Sequence, residues 1–228
     1  MWAVIKKEFK SYFYTPIGYI FIGVFLIAFS ISFFFSVISS GNVNFEYIYY
    51  TLPTILVLAF IIPLLTMRSF SEERKTGTEQ LVLTSPVSIT GVVLGKFLAA
   101  MAVITIALII SFMYFGILCY FGSPNILVVL VAMLGFLLIS GTAVSIGMFA
   151  SSITESQVIA GVLTMGFLII TLFVPDLDIG LPDIAIMSFY QNFPSGVIKL
   201  SDVVGPVSLA LMFIAFTIIV MQRRKLVK

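Results

Sequence analysis

The side chains that could do chemistry in this sequence are concentrated in one polar run, SFSEERKTGTEQ, at residues 69–80. Hydrolytic enzymes need a nucleophile beside a base, and metal hydrolases need histidine or carboxylate ligands. The chain has no histidine, and its single cysteine, Cys119, lies within an apolar stretch. No spacing matches such a set, so we expect no catalytic residue, no metal ligand and no cofactor-binding residue in this chain.

One segment, GVVLGK at residues 91–96, superficially resembles the phosphate-binding loop of ATPases. That loop has four residues between its glycines and a Ser or Thr directly after its lysine. Here three residues separate Gly91 from Gly95, and Phe97 follows Lys96. The match is therefore false, and any ATP-driven work would need energy from a partner protein.

The elements that position the polar residues are predicted to be membrane helices. Of the 228 residues, 61% are hydrophobic and 10% are charged, with a mean hydropathy of +1.20, whereas soluble domains have about 25% charged residues. We predict an all-α integral membrane protein, a single domain over residues 1–228, with six spans at 17–38, 47–67, 97–121, 126–149, 156–174 and 203–221. None of these spans contains Asp, Glu, Lys or Arg. This disfavours a proton-coupled carrier, although Na⁺ held by carbonyl and hydroxyl oxygens stays open.

Charge placement predicts the orientation of the spans. All but one of the 12 Lys and Arg residues fall in the N-terminal arm, the segment between predicted spans 2 and 3, or the C-terminal tail. Lys199 alone falls on the other side. Because short cytoplasmic loops retain positive charge, both termini are predicted to be cytoplasmic. The net charge of +2 gives no indication of nucleic-acid binding.

A helix lying in the inner headgroup layer is predicted for residues 1–16. Trp2, Ile5, Phe9 and Tyr12 recur at helical spacing, away from the lysines, and Pro16 would end the helix. A plain basic anchor for span 1 is the alternative.

A second short helix is predicted in the cytoplasmic region 70–96. Thr76 and Glu79 fit a capping box that would start a helix through Leu81. Ser85 and Pro86 fit the N-cap and first residue of the helix that leads into span 3. The alternative is an ordinary solvated connector.

Further signals occur in predicted spans 4 to 6. Ser152 and Glu155 fit another capping box, which places a tight cytoplasmic turn after Ala150. The extracytoplasmic loop 175–202 alternates Asp and Pro with apolar runs such as IAIMSF, which predicts short helices at the outer surface. Glycines of spans 4 and 5, among them Gly147 and Gly166, are expected to permit close helix packing.

Three stretches carry a family resemblance. They are FSEERKTGTEQLVLTSPVSITGVVLGKFLAA at 70–100, SIGMFASSITESQVIAGVL at 145–163 and FPSGVIKLSDV at 193–203. In this order and spacing they resemble the permease subunits of ABC-2 type transporters, and within them the gliding-motility-type branch. The resemblance covers essentially the whole chain.

The resemblance implies a fold like that of type V ABC exporters, with a coupling helix between spans 2 and 3. It also implies a bacterial or archaeal inner-membrane location and a second permease subunit, in a homodimer or heterodimer. A separate ABC ATPase would hold ATP and Mg²⁺ and drive export. The residues implied in ATPase coupling are Glu72, Glu73, Arg74, Gly77, Thr78 and Leu81, with Ser152 and Glu155 in a second contact at 152–157.

Two other functions stay open from the residues alone. A channel or secondary carrier would transport without ATP or a second protein, and a membrane assembly factor would not need the loop between spans 2 and 3. The substrate is not indicated, because the spans offer mainly apolar and aromatic walls with scattered Ser and Thr.

Overall fold

The computed structural model describes residues 1–38, 48–49, 51–80, 88–121, 124–173 and 186–227, in which all regular structure is helical. The α-helices are α1 (Trp2–Tyr14), α2 (Ile17–Phe33), α3 (Leu52–Leu56), α4 (Ile62–Thr66), α5 (Arg68–Lys75), α6 (Ile89–Ser111), α7 (Met113–Phe121), α8 (Ile126–Ile153), α9 (Gln157–Phe173) and α10 (Leu200–Val227). The π-helical turns Phe34–Ile38 and Val57–Ile61 follow α2 and join α3 to α4, and the 3₁₀ turns Ile186–Tyr190 and Phe193–Ser195 precede α10.

The helices are long enough to confirm a multi-pass membrane protein. Five rods in the described residues are long and apolar enough to cross a membrane: Ile17–Ser36, Pro53–Lys75, Ile89–Tyr120, Ile126–Ile153 and Leu200–Lys225. The remaining predicted span coincides with α9, which has 17 residues. At 1.5 Å per residue it is about 25 Å long, less than the roughly 30 Å of a hydrocarbon core. The all-helical membrane fold is confirmed, and the number six stays a prediction.

The second rod continues well beyond its predicted end at residue 67. Pro53 and Pro63 lie in the first turns of α3 and α4. The first N–H groups of a helix have no partner within that helix, so proline is tolerated there. The rod ends after Lys75, where the Thr76 hydroxyl donates to the Glu72 carbonyl at 2.8 Å. Gly77 follows with a φ of 72°, a left-handed conformation that favours glycine. The first half of the polar run is therefore a direct extension of span 2.

This ending contradicts the capping box predicted at Thr76. The Thr76 hydroxyl closes the preceding helix, and the Glu79 carboxylate forms ion pairs with arginines instead of reaching back to Thr76. The helix predicted through Leu81 lies outside the described residues, as do Ser85 and Pro86. Span 3 begins at Ile89 with Ser88 as its N-cap, because the Ser88 hydroxyl accepts a hydrogen bond from the Gly91 amide at 3.2 Å.

The capping box predicted at Ser152 is also wrong. Ser152 lies inside α8, and its hydroxyl donates to the Phe149 carbonyl at 2.7 Å. The turn falls at residues 154–156, after Ile153 instead of after Ala150. Ser156 caps the next helix, since its hydroxyl accepts from the Ile159 amide at 3.5 Å.

Helix α8 is the centre of the bundle and packs against α4, α5, α6, α9 and α10. Its glycines permit close approach at two levels. A Cβ on Gly147 would clash with the side chain of Thr66, and one on Gly135 with the ring of Phe193. By contrast, Gly166 on α9 has nothing within 4 Å of such a Cβ, so the expected packing role fails there.

Helix α1 lies against the start of α6. A Cβ on Gly95 would lie 2.9 Å from a methyl carbon of Val4, which shows how closely the two backbones approach. Phe9 and Tyr12 pack against the core, whereas Trp2 is 76% exposed. Burial, and secondarily the charge of Glu8, raises the pKa of Tyr12, so this phenol stays neutral. The placement of α1 in the headgroup layer stays a prediction.

On the opposite end, the 3₁₀ turns before α10 fold back against α8. Tyr190 and Phe193 are fully buried, and the Tyr190 hydroxyl donates to the Ala132 carbonyl at 3.2 Å. The Asn192 amide donates to the Asp202 carboxylate at 2.7 Å, tying the turns to the start of α10. Short helices therefore occur in the second half of the predicted outer loop, whereas residues 174–185 lie outside the described part.

Candidate functional site

Helix α5 meets α6, α8, α9 and α10 at the end of the bundle where the polar run lies. A serine of α8 begins this junction: the Ser151 hydroxyl accepts from the amides of Phe70 and Ser71, at 3.0 and 3.1 Å, and donates to the Met67 carbonyl at 3.0 Å. Met67 lies between α4 and α5, and the two amides that Ser151 binds belong to the first turn of α5. Ser151 thus caps a helix about 80 residues away in sequence, a role that no local pattern indicated.

Arg74 joins α5 to the turn between α8 and α9. Its guanidinium donates to the Glu155 carboxylate at 2.6 Å and to the Ile153 carbonyl at 3.0 Å. The carbonyl is one of those left free at the end of α8, where a cation is favoured. The two segments predicted to form separate cytoplasmic contacts are therefore held together directly.

Arg224 brings the C-terminal helix to the same place. It donates to the Glu79 carboxylate at 3.2 Å and to the Ser152 carbonyl. Arg74 lies 3.8 Å from the other oxygen of Glu79, so this buried carboxylate stands between two arginines. Sequence reasoning used Arg224 only to predict orientation, because its partner lies 145 positions earlier in the chain.

Lys96 forms the other half of the junction. Its side chain is 3% exposed, and its ammonium group donates to the Glu73 carboxylate at 2.9 Å and to the Ser69 carbonyl at 2.6 Å. Glu8 of α1 lies 3.4 Å away, and the ring of Phe70 lies below the ammonium at 5.0 Å. Lys96, which sequence reasoning used only to predict orientation, is thus a buried link between α1, α5 and α6.

The predicted coupling residues divide into two groups. Glu73, Arg74 and Ser152 make contacts inside the protein, and Ser152 is fully buried. Four others are exposed: Glu72, Gly77, Thr78 and Glu155. Leu81 lies outside the described residues. The exposed group marks the surface that a soluble protein could touch.

A shallow groove of about 310 Å³ runs beside the Arg74–Glu155 pair. It is lined by Lys75, Glu155, Ser156, Gln157 and Val158. The groove therefore has walls from both of the segments predicted to be cytoplasmic, the extension of span 2 and the turn after α8. Mixed charged and amide side chains of this kind suit the polar rim of a protein interface.

Metal chemistry has no candidate site in the part of the chain that the structure describes, where no three His, Cys, Asp or Glu side chains are grouped to hold an ion.

Comparison with known families decides the class of protein. A family model described as ABC-2 family transporter protein matches residues 2–219, nearly the whole chain. The chain belongs to this family. No curated protein matches it in sequence. This ABC-2 family chain is accordingly a multi-pass membrane permease component of an ABC transporter, and is not the nucleotide-binding catalytic unit. The predicted gliding-motility branch stays a prediction.

Proposed function

We propose that this ABC-2 family chain is the permease half of an exporter driven by a separate ATPase, paired with a second permease chain, with both termini in the cytoplasm. The observation that carries the proposal is the junction of the two cytoplasmic segments through Arg74 and Glu155. Each segment had been assigned to ATPase contact by resemblance alone. Their side-by-side placement makes them one surface.

The junction suits a mechanical input because α5 is continuous with span 2. The Ser151 hydroxyl ties α5 to α8, Arg224 ties α10 to the same region, and Lys96 ties in α6. A force applied at the exposed groove would therefore reach four spans through short polar contacts. Such an arrangement can convert closure of an ATPase pair into a change of helix packing.

Co-purification tests the proposal. The tagged chain, extracted from its native membrane, should bring down an ATP-hydrolysing subunit, and ATP turnover should be absent when the chain is purified alone. Turnover by the rigorously purified chain would contradict the assignment. Substrate movement down a gradient without any second protein would instead favour a channel or secondary carrier.

Cross-linking locates the contact. On a Cys119→Ser background, a cysteine at Lys75 should cross-link to the ATPase subunit, because Lys75 is exposed and lines the groove. A cysteine at Lys199, equally exposed but near the start of α10, is the matched control. Equal cross-linking at the two positions, or none at Lys75 in an active complex, would remove the groove from the interface.

A further inference from the structure

A second cavity, of about 330 Å³, opens where α1, α5 and the start of α6 meet. Its charged lining is evenly divided between three cations, Lys7, Arg68 and Lys96, and three anions, Glu8, Glu72 and Glu73. A cavity for a simple anion or cation would carry an excess of one sign. Lys7, Lys96, Glu8 and Glu73 pair with each other, so one cation, Arg68, and one anion, Glu72, have no ion pair among the described residues. One unpaired charge of each sign suits a ligand that carries both signs.

Two charged groups in this cavity have atoms without partners. The Nε of Arg68 and the Oε2 of Glu73 are both buried, and neither has a hydrogen-bond partner in the structure. Arg68 also takes part in no ion pair among the described residues. A ligand in the cavity would give the Arg68 guanidinium a charged acceptor, and the exposed carboxylate of Glu72 could accept from its cationic group.

The position of the cavity selects the source of such a ligand. Arg68 directly follows the apolar part of span 2, and α1 carries the aromatic and basic pattern of a helix in the headgroup layer. Apolar side chains of Ile17 and Leu65 also line the cavity beside these charges. A group placed there would have its polar part among charges and its apolar part beside the membrane-spanning helices.

We propose that the cavity binds the phosphoethanolamine headgroup of a phospholipid from the cytoplasmic leaflet. Its phosphate accepts from Arg68 and Lys7, and its primary ammonium donates to Glu72. A choline headgroup has no N–H to give Glu72, and an anionic glycerol headgroup has no cation for that carboxylate. The volume is at the lower end for ligand sites, which suits a headgroup and not a whole lipid.

Lipid titration of the full chain purified in detergent tests this inference. Three phospholipids with identical acyl chains are compared by native mass spectrometry: ethanolamine, choline and glycerol headgroups. Glycerophosphoethanolamine, the same headgroup without acyl chains, is the soluble arm. We expect the ethanolamine lipid to bind about tenfold or more tightly than the other two lipids, as one lost charged hydrogen bond implies.

Matched variants separate the cavity from general surface charge. Arg68→Gln should weaken binding of the ethanolamine lipid about tenfold, whereas Lys10→Gln, which removes an exposed cation of α1, should leave it unchanged. Glu72→Gln removes the charge of an exposed carboxylate that makes no ion pair among the described residues. If Arg68→Gln fails to fold, Glu72→Gln is the variant in which weaker binding of the ethanolamine lipid is measured.

Several results would overturn the inference. Equal binding of the three lipids would mean that Glu72 does not recognise the headgroup cation. Equal binding of the glycerol and ethanolamine lipids would indicate recognition of phosphate alone, and equal binding of the soluble headgroup would exclude a membrane source. The titration uses no ATPase or nucleotide, so its failure would leave the proposed permease function intact.

Discussion

The ammonium group of Lys96 lies 2.9 Å from a carboxylate oxygen of Glu73, and the Lys96 side chain is only 3% exposed. This pair joins the start of span 3 to the polar extension of span 2, and Glu8 adds α1 to it. A buried ion pair of this kind is worth little against an apolar pair of the same shape, but breaking it by removing one partner is costly. The junction at this end of the bundle therefore depends on keeping its charges complete.

Removing the buried cation tests that dependence. Lys96→Met leaves the carboxylates of Glu8 and Glu73 without their common partner, and we expect it to lower the free energy of unfolding by about 3–5 kcal/mol. Lys10→Met, which removes an exposed lysine of α1, is the control and should change it little. Denaturant titration in detergent measures both, and equal midpoints for the two variants would contradict the structural role of Lys96.

Two double variants with the same loss of charge separate internal contacts from docking. Glu73 and Arg74 hold Lys96 and Glu155, so replacing both by Ala should lower stability as well as weaken ATPase docking. Glu72 and Lys75 are exposed, so replacing both by Ala should leave stability unchanged and affect only association or coupling. Thermal unfolding together with co-purification of the ATPase distinguishes them. If the Glu72 and Lys75 double variant lost as much stability as the Glu73 and Arg74 double variant, the division between inner and outer charges would be wrong.

Leu81→Asp is expected to be the harshest change in the predicted coupling segment. A carboxylate placed at the centre of an interface without a partner costs on the order of a few kcal/mol, enough to weaken ATPase affinity roughly a hundredfold. Exposed charges at a rim cost much less, so Lys75→Ala is the comparison. Normal ATPase association and ATP-driven transport by a well-expressed Leu81→Asp protein would restore the reading of this loop as a plain connector.

Orientation can be tested at the two ends of α10. Lys199 and Lys225 are both exposed and lie 26 residues apart, about 39 Å along a helix at 1.5 Å per residue. With the termini inside, an amine reagent that cannot cross the membrane should label Lys199 in intact cells and reach Lys225 only after lysis. The reverse pattern would refute the predicted orientation.

Helix packing can be tested with two glycines of adjacent helices. Gly147→Ala forces a methyl group against Thr66, and overpacking of this kind typically costs about 1–3 kcal/mol. Gly166→Ala adds the same methyl group where nothing lies within 4 Å, so it should be neutral or slightly stabilising. Thermal unfolding of the two variants in the same detergent measures the difference, and equal losses would mean that α4 and α8 do not approach so closely.

The sequence by itself determined the class of protein and its helical plan, because these depend on properties of continuous segments. Uncharged runs of about 20 residues can only be helices in a membrane, and the lysines and arginines at their ends predict orientation without any tertiary contact. The polar run at 69–80 also stood out as the cytoplasmic feature of interest, since it interrupts an otherwise apolar chain.

Only the tertiary structure decided what the individual polar residues do. Local patterns assigned Glu79 and Glu155 to capping boxes, but each carboxylate has an arginine within reach in the folded chain, and a charged partner is the stronger attraction. Ser151, Lys96 and Arg224 find their partners 23 to 145 positions away, distances over which sequence spacing carries no geometric information. Helix packing around α8 sets those contacts, so they could be read only once the bundle was in place.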